Sequence, residues 1–177
     1  MKRWLSVALI LAFADPSQDS HPFRQIVKRI EAQDSEEPVD ERTATFSLTK
    51  DTLLPREGSV LVLGSPESRV AIQSLIGPHC GELVKVRDDG LTLAGIAHDG
   101  AGIAALVSCH RRDRPGSIIT LLYAVTPQAA TTVARLLFFY GWNSYVVFKD
   151  GRPVDRGEWA STYDRMEVSV DEQDVVQ

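Results

Sequence analysis

The sequence lacks the short motifs by which many enzymes and nucleotide-binding proteins are identified. It contains no GxGxxG or GxxxxGK[ST] phosphate-binding loop, no GxSxG nucleophile turn and no HExxH zinc motif. Its four histidines and two cysteines do not have the spacing of a usual zinc site. We therefore expect no catalytic residue, no metal and no cofactor, and an enzymatic activity is not the leading prediction.

A basic excess and long apolar runs are also lacking. The 177 residues carry a formal net charge of -5, whereas a nucleic-acid-binding domain usually presents a concentrated basic face. No apolar run approaches the roughly 18 residues that indicate a membrane-spanning helix. We therefore expect neither nucleic acid nor a transmembrane span, and a protein partner remains as the expected kind of ligand.

The first fourteen residues have the pattern of a secretory signal peptide. Lys2 and Arg3 are basic, residues 4–14 are apolar except for Ser6, and Ala12-Phe13-Ala14 has the small-x-small form of a cleavage site. This pattern predicts a signal peptide at 1–14 and a secreted or periplasmic protein. The alternative is a buried first helix or strand.

Only Cys80 and Cys109 are available for a disulfide. In an exported protein an even number of cysteines permits a bridge. The alternative is two independent buried thiols, since the segments around them do not require proximity. Both interpretations are open at this point.

Two stretches share the order of an apolar strand, a Ser/Thr-Pro pair and a helix. Thr126-Pro127 follows the run 117–125, and Ser65-Pro66 follows the run 59–63. With the strand expected at 145–148, the first stretch forms a strand–helix–strand unit. We predict a single α/β domain at 58–160, with a mixed sheet of about five to seven strands and two to three helices.

The flanking regions differ from this domain in composition. Residues 15–57 contain an amphipathic helix pattern at 22–32, an acidic linker at 33–41 and alternation typical of an edge strand at 43–49. Residues 161–177 form an acidic tail. We expect these regions to lie outside the main domain.

Two candidate sites follow from the residues. The first is an interaction surface on a basic loop and on a group of mostly aromatic residues near the end of the domain: Arg111, Arg112, Arg114, Trp142, Asn143, Tyr145 and Trp159. The alternative is a solvated loop and aromatics packed on the rim of the core. The second is a ligand edge at the helix starts, Ser65 and Thr126, where open α/β sheets bind ligands; its alternative is ordinary helix capping.

Four stretches of the run 58–159 form a recognisable pattern: VLVLGSPE at 60–67, the loop 109–115, YGWNSYVVF at 140–148 and GEW at 157–159. With them, the run resembles an α/β segment fused to bacterial exported zinc aminopeptidase-like proteins. The resemblance implies an accessory, peptidase-associated domain without catalytic activity, because this chain has no HExxH. We therefore predict an exported accessory or protein-interaction domain. The alternative is a ligand-binding or hydrolytic α/β domain with a pocket near Ser65 and Thr126.

Overall fold

The computed structural model describes residues 7–11, 46–49, 53–134, 136 and 143–159, the first two ranges by their backbone only. The predicted helix at 22–32, the linker at 33–41, the tail at 161–177 and Trp142 lie outside the described residues. The predictions on these segments stay predictions.

The described strands form two sheets. Seven strands form the main sheet: β1 (Val7–Leu11), β2 (Phe46–Thr49), β3 (Ser59–Gly64), β7 (Ile103–His110), β8 (Ile118–Ala124), β9 (Tyr145–Lys149) and β10 (Arg152–Gly157). Three strands form a smaller antiparallel sheet: β4 (Val84–Val86), β5 (Gly90–Leu93) and β6 (Ile96–Asp99). The helices are α1 (Arg69–Cys80) and α2 (Pro127–Val133), and short 3-10 turns lie at Pro66–Ser68 and Gly81–Leu83.

The strand order in the main sheet is β10-β9-β7-β8-β3-β1-β2. Strands β2, β1, β3 and β8 pair in parallel, whereas β7, β9 and β10 complete the sheet by antiparallel pairing. The predicted mixed α/β sheet is therefore confirmed. The number of strands was underestimated, because the short strands β4–β6 form a second sheet and β1 lies in a segment predicted as a signal peptide.

The central strands are apolar on both faces because both faces are covered. On one face Val62 packs with Ile72 of α1 and Leu91 of the smaller sheet, and all three are buried. On the opposite face Leu63 packs with Ala130 of α2. Alternation of side chains along β3 thus feeds two separate cores.

The two helices begin at the same edge of the main sheet. Strands β3 and β8 are parallel neighbours, with Leu63 opposite Leu122, so their carboxyl ends lie side by side. Helix α1 leaves from β3 to one face and α2 leaves from β8 to the other. Both helix starts, at Ser65 and Thr126, therefore lie at one edge of the main sheet.

Ala94 and Gly95 reverse the chain between β5 and β6, because their φ angles are positive, at 48° and 87°. Helix α2 ends at Val133, and residues 137–142 lie outside the described part.

Strand β1 lies inside the segment predicted as a signal peptide. Its Leu9 pairs with Leu61 of β3 on one side and with Leu48 of β2 on the other. This placement corresponds to the alternative of a first strand. Cleavage after Ala14 would remove β1 and leave the edge of β3 without that neighbour. Strand β2 lies within the predicted strand at 43–49.

Candidate functional site

The connection between β7 and β8 is a tightly hydrogen-bonded loop of residues 111–116, which we call the arginine loop. The backbone N–H of Arg111 donates to the carbonyl of Ser117 at 2.9 Å. The N–H of Ser117 donates to Arg114 at 3.1 Å, and the N–H of Arg114 donates back to Arg111 at 3.3 Å. The loop is therefore a closed turn with a defined backbone conformation.

Arg111 holds this loop against the start of β3. It is only 3% exposed, and its Nε and Nη2 donate to the two carboxylate oxygens of Asp113 at 3.0 and 2.6 Å. Its Nη1 and Nη2 also donate to the carbonyls of Gly58 and Pro55, each at 2.9 Å. The hydrogen bonds that Arg111 donates to Asp113 keep the pKa of that carboxyl below its ordinary value. Arg111 therefore positions the loop and does not face a partner.

His79 of α1 contacts the arginine loop through a hydrogen bond to its backbone. It is buried near the end of α1, and its Nδ1 accepts a hydrogen bond from the backbone N–H of Arg112 at 3.2 Å. The same nitrogen lies 3.8 Å from a carboxylate oxygen of Asp113. Burial lowers the pKa of His79. An unprotonated Nδ1 is what the hydrogen bond from Arg112 requires.

A disulfide lies directly beside His79. Cys80, the last residue of α1, is bonded to Cys109 of β7, and their Cα atoms are 5.5 Å apart. Of the two interpretations of these cysteines, the bridge is the one the structure contains. Because both sulfurs are bonded to each other, neither serves as a thiolate metal ligand. No group of three or more His, Cys, Asp or Glu that could hold a metal occurs within the described ranges.

The remaining arginines of the loop face outward. Arg112 and Arg114 are exposed, and neither side chain forms an ion pair with another described residue. Asp113, between them in sequence, is already bound by Arg111. The loop thus presents two guanidinium groups on a fixed backbone. The planar N–H donors of a guanidinium can form paired hydrogen bonds with the two oxygens of a carboxylate or phosphate.

Tyr145 and Trp159, the two aromatic residues of the predicted surface that the structure describes, are packed against each other. The rings of Tyr145 and Trp159 stack with their centroids 4.7 Å apart, and both residues are half-buried. The indole N–H of Trp159 donates to the carbonyl of Ser108 at 2.9 Å, and its backbone N–H donates to Ser144 Oγ at 3.0 Å. Asn143 is half-buried beside them in sequence. These contacts correspond to the alternative of packing on the rim of the core.

The predicted ligand edge is satisfied by local hydrogen bonds. Ser65 Oγ donates to Glu67 at 2.5 Å, which lowers the pKa of that carboxyl. Thr126 Oγ1 accepts from the N–H of Ala129 at 3.3 Å and donates to the carbonyl of Ala101 at 2.8 Å. The Thr126 hydroxyl therefore caps α2, and the Ser65 hydroxyl is bonded to a side chain of the first turn, so both have internal partners, as the alternative of a structural role expects.

The turn between β4 and β5 lies close to this edge. The hydroxyl of the buried Tyr123, at the end of β8, donates to the carbonyl of Arg87 at 2.6 Å. Arg69 of α1 donates to Asp88 at 2.7 Å. Burial raises the pKa of Tyr123, so its hydroxyl stays protonated and remains a donor. These bonds fix the turn near the carboxyl ends of β3 and β8.

One close pair was not predicted from the sequence. Nε2 of His98 on β6 lies 3.1 Å from a carboxylate oxygen of Asp155 on β10, with 12% and 29% of these side chains exposed. The pair is close but not aligned as a hydrogen bond. It joins the smaller sheet to the edge of the main sheet. No local pattern indicates it, because the two residues belong to different sheets.

No helix in the described part of the chain is long and apolar enough to cross a membrane. The sequence matches no family model and no curated protein. The resemblance of 60–67 and 140–148 to an aminopeptidase-associated segment therefore stays a prediction.

Proposed function

We propose that this chain is a non-catalytic accessory domain that binds a protein partner through its arginine loop. The observation that carries the proposal is the contrast between Arg111 and its neighbours. Arg111 is buried and uses its guanidinium to fix the loop, whereas Arg112 and Arg114 are exposed. A rigid loop loses little conformational entropy on binding, so two presented charges contribute more to affinity than they would on a flexible loop.

The side chains that could perform chemistry support a structural role instead. Cys80 and Cys109 are bonded to each other, and Nδ1 of His79 accepts a backbone hydrogen bond. The Ser65 hydroxyl donates to the carboxylate of Glu67, and the Thr126 hydroxyl caps α2 and donates to the carbonyl of Ala101. A nucleophile needs a base within hydrogen-bonding reach, and these groups are engaged otherwise.

We also propose export, to the periplasm or outside the cell. The disulfide supports this location, because such bonds persist in oxidising compartments. We further propose that residues 58–160 form one folding unit, and that its partner belongs to a peptidase-like system. The last point rests on the resemblance alone.

A second candidate function is a ligand-binding or hydrolytic site at Ser65 and Thr126. One observation favours it. Helices α1 and α2 leave adjacent parallel strands toward opposite faces, an arrangement that opens a crevice at the carboxyl ends of strands in many α/β proteins. The internal hydrogen bonds of both side chains favour the interaction domain over this site.

The proposal is tested by capture from an envelope extract with three immobilised proteins. They are the wild type, the loop variant R112E/R114E, and the control R152E/R156E, which makes the same charge change at exposed positions on β10. We expect a protein captured by the wild type and the control but several-fold less by the loop variant. Equal capture by all three would refute the role of the loop. Turnover of a substrate that is lost in S65A/T126A would support the second function.

A further inference from the structure

We infer that the arginine loop binds a run of carboxylates and that, in the free protein, the acidic segment 164–174 of this chain occupies it. The inference rests on the proposed function only in sharing the same loop. It adds the chemistry of the ligand and a competitor that a partner has to displace.

The acidic side chains of the C-terminal region exceed its basic ones, whereas the part of the chain that carries the arginine loop is nearly neutral. Residues 53–159 contain eleven basic and ten acidic side chains, whereas residues 160–177 contain one basic and five acidic ones. The acidic side chains of this second region are Asp164, Glu167, Asp171, Glu172 and Asp174. The negative net charge of the protein thus lies outside the part that carries the loop. Opposite charges on two parts of one chain attract at moderate ionic strength.

Trp159, the last described residue, lies at the end of the main sheet where the arginine loop is. Its indole N–H is bonded to Ser108 of β7, and the carbonyl of Gly157 accepts from the N–H of Ser144 at 2.9 Å. Strand β7 continues from Ser108 to His110, and the arginine loop follows directly. The chain therefore leaves its last described residue at the end of the sheet that carries the loop.

The length of the intervening chain permits the contact. Asp164 lies five residues beyond Trp159, a distance of up to ~17 Å in an extended chain. From Ser108 to Arg112 the extended chain spans at most ~14 Å. The carboxylates of 164–174 can therefore reach Arg112 and Arg114 without any change in the described fold. The effective concentration of such a tethered segment is high.

The loop is not neutralised by its own acidic residue. Both oxygens of Asp113 accept from Arg111, which turns this carboxylate toward the buried guanidinium. Arg112 and Arg114 keep their donors for carboxylates from elsewhere, and each guanidinium accommodates one carboxylate in bidentate geometry. The acidic linker at 33–41 precedes β2, which is three strands away from β8 in the main sheet, whereas β10, which precedes segment 164–174, is two strands away from β7. Segment 164–174 is therefore the better-placed occupant.

Zero-length cross-linking tests the inference in the purified full chain. Carbodiimide joins lysine amines to carboxylates in contact, so R112K/R114K converts the loop into a cross-linking site while keeping its charge. Native Lys149 at the end of β9 is an exposed internal control. A second variant, R156K, places a lysine closer in sequence to the segment and controls for mere tethering. Circular dichroism and an intact disulfide verify that each variant is folded.

We expect mass spectrometry to find several-fold more cross-links from Lys at 112 and 114 to 164–174 than from Lys149 or from position 156. These cross-links should decrease in 0.5 M salt, because ionic contacts at a surface are screened. Cross-links no more frequent than those of the controls, or directed mainly to the acidic linker at 33–41, would overturn the inference. So would cross-links found only between labelled and unlabelled chains in an isotopically mixed sample. Each of these results leaves the capture experiment to decide the proposed function separately.

Discussion

Arg111, Arg112 and Arg114 are equivalent in the sequence, yet the structure gives them different tasks. A buried guanidinium is tolerated only when its donors are paired. Arg111 meets this condition through Asp113 and through two carbonyls that precede β3. The sequence could identify the basic loop, but it could not identify which arginine is buried. That choice depends on carbonyls more than fifty residues away in the chain.

The first prediction concerns the geometry of this guanidinium. In Arg111→Lys the charge remains, but an ammonium group cannot reach the carboxylate and both carbonyls together. We expect the free energy of unfolding to fall by about 2–3 kcal/mol. Urea unfolding measures the change. Arg112→Lys, at an exposed position, is the matched control and should stay within about 0.5 kcal/mol of the wild type. Equal stability of the two variants would contradict the role of Arg111.

His79 predicts a pH dependence of stability. Its pKa in the folded state is lowered, first because burial disfavours the imidazolium and also because Arg111 and Arg112 are close, while Asp113 opposes the shift. The unfolded chain binds this proton near pH ~6.5, the ordinary value. Between the two pKa values the unfolded state holds more protons, so stability rises with pH. The contribution of His79 is complete above pH ~6.5 and is lost as the pH falls toward the folded pKa.

We expect His79→Asn to reduce this dependence. The asparagine Oδ1 takes the place of Nδ1 and accepts from the N–H of Arg112, but it does not titrate. The measurement is the free energy of unfolding at pH 7 and pH 5 for both proteins. The decrease between these two pH values should be smaller in the variant than in the wild type. The same decrease in both would mean that His79 does not titrate differently on folding.

At the scale of the elements, the disulfide connects the end of α1 to the end of β7. The two cysteines are 29 residues apart in sequence, and closing a loop of this length constrains the unfolded chain. We expect reduction to lower the free energy of unfolding by about 3–4 kcal/mol. Urea unfolding with and without dithiothreitol measures it. The variant C80A/C109A should be insensitive to dithiothreitol, and a wild type equally insensitive would exclude a stabilising bridge.

Elements with local signals were predictable, and elements that depend on distant pairing were not. Ser65-Pro66 and Thr126-Pro127 mark helix starts by capping chemistry that acts within four residues, and both starts are where the sequence indicates. Strand β6 is short and pairs only with β5, so its existence depends on the turn at Ala94 and Gly95. The disulfide and the contact of His98 with Asp155 join segments whose proximity is a property of the sheet order.

At the scale of the whole molecule, residues 7–11 form an internal strand of the main sheet, although they lie in a segment with the pattern of a signal peptide. An apolar run after two basic residues predicts a signal peptide, and a buried parallel strand has the same composition, because both are selected for apolar surroundings. Strand β1 lies between β3 and β2, so removal of residues 1–14 would expose the backbone edge of β3. That edge carries SVLVLG, which contains no charged residue and no proline to prevent pairing with another chain.

The last prediction compares the full chain with residues 15–177. We expect the shorter chain to be less stable by about 2–5 kcal/mol, because it loses the parallel backbone pairing of β1. We also expect it to self-associate through the open edge of β3, which sedimentation measures. A chain of residues 1–159 is the control, since it removes a comparable length without removing a described strand. If the chain of 15–177 is monomeric and as stable as the full chain, β1 contributes nothing, and cleavage after Ala14 costs the sheet nothing. If it is unstable alone, an exported form that begins at Asp15 needs a strand from a partner at this edge.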